Sequence, residues 1–357
     1  MFWEQAASLV EGPRIWDGFR RRGGRVGLMF WQQSLGENVD LLLSPAPIHK
    51  HGGGMLQDCY SRPAGLYRQL CGAIGRPFHL MNYWGPLASR RSSDWILEAT
   101  FCVMERQNAP GLLLSYLPHL DYDLQRHGPD SPPARRSLEV LAGYLDRLQT
   151  HAAVHGYDFL VFGDYAIQPV TQPVLFPNRR LRERGLFASR AVRGMSYPDF
   201  FSSRAFAVAD HQVAHVYAAP DAIAEAETAL RDLPGVEAVL DRAAQKSLGL
   251  DHPRGGELVL LAHEGAWFAY PWWGEEEAAP DFASHVDIHN KPGYDPCELF
   301  FGWPPLRVSS DASRIRGSHG RAGASHKAAW MSSIDFPATG TLLELAGAVR
   351  ERLDSDP

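Results

Sequence analysis

The sequence is poor in the features that mark a secreted, membrane-embedded or nucleic-acid-binding chain. Its 357 residues hold four cysteines, Cys59, Cys71, Cys102 and Cys297, with no C-x-x-C pair among them. Thiols so spaced make neither a disulfide framework nor a cysteine zinc site, and they are read as reduced. Long apolar runs are missing too. Stretches such as Gly111 to Leu114 and Leu258 to Ala262 fall far below the roughly 20 residues needed to cross a bilayer, and Met1 to Gly24 has no signal-peptide apolar segment. Nor is there an excess of positive charge: 35 Lys+Arg against 41 Asp+Glu gives a net charge of −6. No global basic field gathers polyanions. Together these absences lead to the expectation of a cytoplasmic protein with no nucleic-acid polymer and no membrane as partner.

What remains is ordinary globular composition, 45% hydrophobic and 21% charged, in a length that suits one large domain or two of common size. Apolar runs alternate with helical stretches, which favours a mainly parallel sheet sandwiched by helices, an α/β fold. Candidate strands are Arg25 to Phe30, Gly111 to Leu117 and Phe159 to Phe162. Between the second and third, Pro133 to His151 carries Leu138, Leu141, Leu145 and Leu148 at helical spacing, so a crossover helix and one βαβ unit are expected. From about Arg204 the texture changes. Strands at Val213 to Tyr217, Val236 to Leu240, Glu257 to Ala262 and Trp267 to Tyr270, with a helix over Pro220 to Asp232, read as a small inserted α/β subdomain. The expected organisation is a main domain over 1–203, an insertion over 204–275, and a closing part of the main domain over 276–357 that ends in an amphipathic helix from Thr339 to Leu353.

Fifteen histidines sit among Asp and Gly in short clusters, and imidazole is the commonest nitrogen ligand for zinc. In the first cluster, Leu117-Pro-His-Leu-Asp121-Tyr-Asp-Leu-Gln125-Arg-His-Gly128-Pro129, carboxylates, imidazoles and an amide follow an apolar strand. Ligand sites of open α/β sheets gather at such strand ends, although a solvated loop capping its own backbone reads equally well. In the second, Gly163-Asp164-Tyr165, an acid ends a strand, as a helix cap also would. In the third, Asp287 and His289 alternate on one face if Phe282 to Pro296 is extended, a spacing that lets both reach one ion. The fourth is His319 between glycines in Arg316-Gly-Ser-His-Gly-Arg321, where a flexible surface loop is the plainer reading. Asp210-His211 precedes the Val213 strand, and His215 on that strand reads as a satisfied core histidine. Trp267, Trp272, Trp273 and Tyr294 could stack on a nucleobase or belong to the insertion's core.

In this order the clusters resemble the motifs of the alkaline phosphatase superfamily, in its nucleotide pyrophosphatase/phosphodiesterase-like branch. The resemblance matches Asp121 and Gly128-Pro129 to a metal-binding Asp and a following Gly-Pro, with Gln125 where the family has His. Asp164 matches the next metal-binding Asp, Tyr165 replaces its neighbouring His, and His319 takes the final ligand position. The resemblance implies a divalent-metal hydrolase, with zinc as the expected ion, acting on phosphodiester or pyrophosphate bonds of a small phosphate-ester or nucleotide-like substrate. Metal ligands are then expected at Asp121, Asp164 and His319, with compensation from His211, Asp287 or His289, and with Gln125, Tyr165 and Asp210 lining the site. The family's first metal-binding Asp and its Thr or Ser nucleophile are expected to precede Phe30. No upstream stretch matches them, so the chain is read as incomplete as written, with Ser92, Ser93 and Thr100 as substitute hydroxyls. The alternative is a catalytically silent remnant or binding protein of the same fold.

Overall fold

The computed structural model describes residues 4–51, 54–323, 326–336 and 340–355. The chain divides into two interleaved compact units. One comprises Asp123–Arg135 and Tyr165–Lys327, and the other Glu4–Tyr122, Arg136–Asp164 and Ala328–Pro357.

The unit beginning at Glu4 is built on a four-stranded sheet. Val26–Met29 pairs in parallel with Leu41–Pro45 on one side and Leu112–Ser115 on the other, while Cys59–Arg62 closes the edge antiparallel to Leu41–Pro45. All four residues of the first strand are buried. Val26 and Leu28 join a cluster with Trp16, Val39 and Leu42, whereas Met29 points into a second cluster with Leu43, Phe78, Trp95 and Ile96. Apolar side chains on both faces are what a parallel strand covered on both sides requires. Gly27 sits where an added Cβ would lie 2.9 Å from Leu113 and 3.0 Å from Pro110, so the tight strand spacing leaves room for little else.

Two long helices serve this sheet. Arg90–Met104 buries Ser92, Ser93, Trp95, Ile96 and Thr100. The three hydroxyls weighed as nucleophiles are therefore occupied inside the helix packing: Ser92 donates to Ser89 O, Ser93 accepts the His119 N–H, and Thr100 bonds Ile96 O and Ser115. The expected crossover helix spans Pro132–His155, with the unit division falling after Arg135. Its inner stripe is Leu141, Tyr144, Leu148 and Ala152, set against Leu97, Phe101 and Met104. Leu138, expected on that face, is exposed. The third expected strand forms at Leu160–Phe162 but pairs antiparallel with Trp330–Ser332 instead of joining the ladder of Leu112–Ser115. The βαβ reading thus holds for the elements and not for their hydrogen bonding. The closing helix runs Leu342–Ser355; Thr339, expected to start it, lies outside the described residues.

In the other unit an antiparallel sheet has the spatial order Ala205–Asp210, Val213–Ala218, Leu258–Ala262, Val236–Leu240. Ala205, Ala207, Ala209, Ala214 and Val216 face inward and meet Ala226 and Leu230 of the helix Ile223–Arg231. Trp267 to Tyr270 is not a strand; apart from one bridge between Leu175 and Phe268 it is buried irregular chain. Trp267, Trp272 and Trp273 are core. His215 accepts the Gly256 N–H at 3.2 Å, the satisfied histidine its pattern suggested. All four cysteines are free thiols. No helix among the described residues is long and apolar enough to cross a membrane.

Candidate functional site

Strands Ala205–Asp210 and Val213–Ala218 are joined by a two-residue turn, His211-Gln212, across the Asp210–Val213 pair. Tight hairpins need positive φ in the loop, and His211 supplies it at 55°. Non-glycine residues are uncommon in that region, and Asn, Asp and His are the ones that adopt it most readily. The surroundings of His211 are specific. The His211 carbonyl accepts the Phe268 N–H at 2.6 Å, Gln212 N donates to His319 O at 2.8 Å, and the His211 ring is 2% exposed.

The segment bearing His319 is pinned to this turn from its own side. Gly317–Ser318 forms a short antiparallel pair with Gln168–Pro169. Arg316 N donates to Gln125 O at 2.9 Å. A Cβ at Gly317 would lie 2.2 Å from Leu124 O, so glycine is required by a close backbone approach and not by loop flexibility. His319 is thereby delivered onto Tyr165, with ring centroids 3.6 Å apart and planes 6° from parallel. Its other neighbour is His211, at 3.9 Å between centroids. Ser318 Oγ lies 3.2 Å from His211 Nδ1.

A third segment completes the cluster. The Tyr294 ring packs 4.5 Å from that of His211, and its hydroxyl donates to Gln125 Oε1 at 3.2 Å. Tyr294 is held there because Gly293, at φ 123°, lies against Ala209 and Tyr294 N donates to Ala209 O at 2.9 Å. Tyr165, His319, His211, Tyr294 and Gln125 thus form one continuous network within a single unit. Burial pushes the His319 pKa down to about 4, and it pushes His211 well below the ordinary value, with His319 adding to the effect. Both imidazoles are neutral at pH 7. Asp210, one residue before the turn, is open to solvent at its surface yet crowded enough that desolvation raises its pKa to about 6.

The carboxylates of the first two motifs fall in the other unit. Asp121 is in the first turn of the helix His119–His127, where the helix dipole favours an anion. Asp164 follows the strand Leu160–Phe162, with Gly163 N donating to Ala329 O at 2.9 Å. The half-buried Tyr116 phenol senses both of them: desolvation first, then Asp121 and Asp164 with neighbouring tyrosines, hold its pKa well above the usual range.

The third motif behaves differently from its expectation. Residues 288–290 form a turn and 285–287 are irregular chain, not a strand, so Asp287 and His289 do not alternate on a shared face. Asp287 is the cap of that turn. Its carboxylate accepts the backbone N–H of His289 and Asn290, at 2.8 and 2.9 Å, and the Asn290 side-chain amide at 2.8 Å. Burial opposes ionisation there, but these donors outweigh it and lower the pKa.

The profile of the type I phosphodiesterase/nucleotide pyrophosphatase family matches residues 1–295. The chain belongs to this family. Asp121, Asp164, Asp210, His211, Asp287 and His289 fall inside the matched span, and His319 lies beyond it. Phosphonoacetate hydrolase from Sinorhizobium meliloti 1021, solved with phosphonoacetate, is 14% identical, with a TM-score of 0.55 over 98% of this chain and 75% of that one. This likeness shows the fold alone, an α/β architecture with a mixed, mostly parallel central sheet. Murine and human ectonucleotide pyrophosphatase/phosphodiesterase 5 are each 14% identical, with TM-scores of 0.45 and 0.47. They match over 85% and 88% of this chain, which spans 62% and 64% of theirs. No protein of curated function matches. The family is one of phosphodiesterase and pyrophosphatase-type hydrolases, generally dependent on divalent metal.

Proposed function

We propose that this chain hydrolyses phosphodiester or pyrophosphate bonds of a small phosphate-ester or nucleotide-like substrate with the help of a bound divalent metal, zinc by the chemistry of its donors. The observation that carries the reading is the network just described. Three motif positions, Gln125, Tyr165 and His319, separated by up to nearly two hundred residues of chain, meet in it. The metal ligands that the resemblance implies are Asp121, Asp164 and His319; His319 belongs to the network with His211 beside it, while the two carboxylates belong to the other unit. Carboxylate oxygens and neutral imidazole nitrogens are the donor set that suits zinc, so the residues present fit the ion. Asp287 is left out of the ligand set because its carboxylate serves its own turn, and His289 stays as an alternative nitrogen donor.

When bound, such a metal stabilises charge on phosphoryl oxygens and lowers the pKa of a coordinated water. The chain's own part is orientation. Tyr165 against one face of His319 and His211 near the other restrict the ring's rotation, and the Gln212 N–H holds its carbonyl. Gln125 and Tyr165 would contribute, at most, neutral oxygens where the resemblance has imidazole, which favours weaker zinc retention. The same two residues support a second reading, a non-catalytic binding protein of this fold, because Gln125 Oε1 is already engaged by Tyr294 and Tyr165 is stacked on His319.

The test is hydrolysis of bis(p-nitrophenyl) phosphate by the chain, metal-stripped and with zinc restored, beside Asp164→Asn and His319→Ala. Zinc-dependent turnover lost at least about a hundredfold in both variants is the expected outcome. Zinc binding that depends on Asp164 and His319 without any turnover would sustain the binding-protein reading. Turnover indifferent to both substitutions would refute the site.

A further inference from the structure

Away from the motif residues, two helices of the unit beginning at Glu4 end side by side. Glu105 is the C-cap of Arg90–Met104, and His151 and His155 lie in the last turns of Pro132–His155. The helices run parallel: Tyr144 reaches Asp94 near the start of the first at 2.7 Å, and Phe101 stacks on His151 near its end. The negative ends of both dipoles therefore close on the same spot, which favours a cation there.

The side chains around that spot are arranged for one. His151 and His155, spaced four residues apart, project from one helix face with ring centroids 4.7 Å apart. The His151 ring is fixed by Phe101, 4.2 Å away and 22° from parallel. The ligand atoms of Glu105, His151 and His155 all lie within 4.8 Å of one another. His151 Nε2 is 3.0 Å from Glu105 Oε1, yet this nitrogen is sealed from solvent with no aligned hydrogen-bond partner among the described residues. The pair is close without the geometry of a hydrogen bond. The separation is near the ~3.3 Å edge of a tetrahedron whose bonds are about 2.0–2.1 Å, the bond lengths of zinc to imidazole and carboxylate. Arg147, one turn before His151, is spread over Phe101, 5.4 Å from its centroid.

We propose that Glu105, His151 and His155 form a second zinc site, with two imidazole nitrogens, one carboxylate oxygen and a water in the fourth position. The ion would clip the C-terminus of one helix to that of the other. This proposal does not rest on the phosphodiesterase reading, since it uses none of its residues.

Zinc titration of the full chain against a chromogenic chelator tests it, with His155→Ala and Glu105→Gln as the variants. Both positions are exposed, so folding should survive either change. The chain is expected to bind one more zinc ion than His155→Ala, and Glu105→Gln to weaken that ion at least tenfold. Zinc should raise the melting temperature by a smaller increment in His155→Ala than in the unaltered chain. In an Asp164→Asn, His319→Ala background the one-ion difference should persist. Equal stoichiometry and affinity in all three proteins, or disappearance of the difference in that background, would overturn the proposal.

Discussion

Lys291 offers the sharpest test of what holds the Tyr294 segment in place. Its side chain is 1% exposed, and Nζ donates to Asp295 Oδ2 and Glu298 Oε1, both at 2.7 Å. The two carboxylates have further work. Asp295 Oδ1 accepts the Cys297 N–H at 3.1 Å, and Glu298 Oε1 accepts the Asp287 N–H at 2.9 Å. Burial works against the Lys291 charge, but Asp295 and Glu298 outweigh it and hold its pKa above the ordinary range. Glu298 responds to burial more than to its partner and is raised. Lys291→Met removes the cation and strands two buried acids. Breaking a buried pair in this way costs about 3–5 kcal/mol, a large share of a typical stability of about 5–15 kcal/mol, and corresponds to roughly 6–20 °C in melting temperature for a unit of this size. The loss should depend on pH. Glu298, already raised by burial, loses in the variant the cation that lowers it, so the folded state binds more protons there and the deficit grows as pH rises from about 4 to 7. Urea unfolding followed by the fluorescence of Trp267, Trp272 and Trp273, buried in the same unit, reads it out. Lys291→Met/Asp295→Asn/Glu298→Gln keeps a side-chain oxygen to accept each backbone N–H and removes every charge, so it should regain most of the loss. A single variant within about 1 kcal/mol of the unaltered chain, or a triple variant no better than the single, would refute the reasoning.

Gly293→Ala should destabilise by at least about 2 kcal/mol in the same assay, because its Cβ would lie 2.0 Å from Ala209 O at a φ of 123°. At the His211 turn, His211→Asn should be tolerated better than His211→Val, since a β-branched residue resists the left-handed backbone while Asn accepts it; equal unfolding midpoints would show that ring packing alone matters there. Asp40 accepts the Val26 N–H and pairs with Arg20; burial opposes its charge, yet these partners and Arg25 lower its pKa. A lowered folded pKa means stabilisation present above about pH 4 and lost as pH falls through the folded value. Asp40→Asn should accordingly cost roughly 1.5–3 kcal/mol at pH 7 and flatten the acid limb of a stability–pH curve, and an unchanged acid limb would count against the assignment.

The sheet strands were legible because period and burial coincide. Val26–Met29 and Leu112–Ser115 read as apolar runs bounded by glycine and proline, and the helix Ile223–Arg231 falls inside its expected span. Pairing was not legible. Nothing in Phe159 to Phe162 says that its edge will be taken by Trp330–Ser332, because a ladder is chosen by partners remote in sequence. Trp267 to Tyr270 misled for a related reason. Its residues are apolar enough for a strand, but the aromatic bulk is accommodated in irregular chain packed on Ala266 and Phe176 neighbours and on the sheet core.

The site divides along the same line. Motif order picked out Asp121, Asp164 and His319 one at a time, since each follows a strand or sits beside glycine. It did not join to them Tyr294, which the sequence offered only among four aromatics able to stack on a nucleobase; Tyr294 reaches Gln125 and His211 because Gly293 lies against Ala209 and the Lys291 ion pairs hold the following turn. The departures from the family pattern look like lost imidazoles when the sequence is read alone. In the fold they have other work. Tyr165 presents a flat face to His319, and Gln125 presents an acceptor to Tyr294 from a wholly buried position. An imidazole at 125 would meet the Tyr294 hydroxyl in place of the amide, and one at 165 would offer a smaller ring to the stack. Restoring the family's histidines therefore requires repacking around His211 and Tyr294, and any gain in zinc affinity from a Gln125→His/Tyr165→His exchange has to exceed the cost of that repacking before it can be observed.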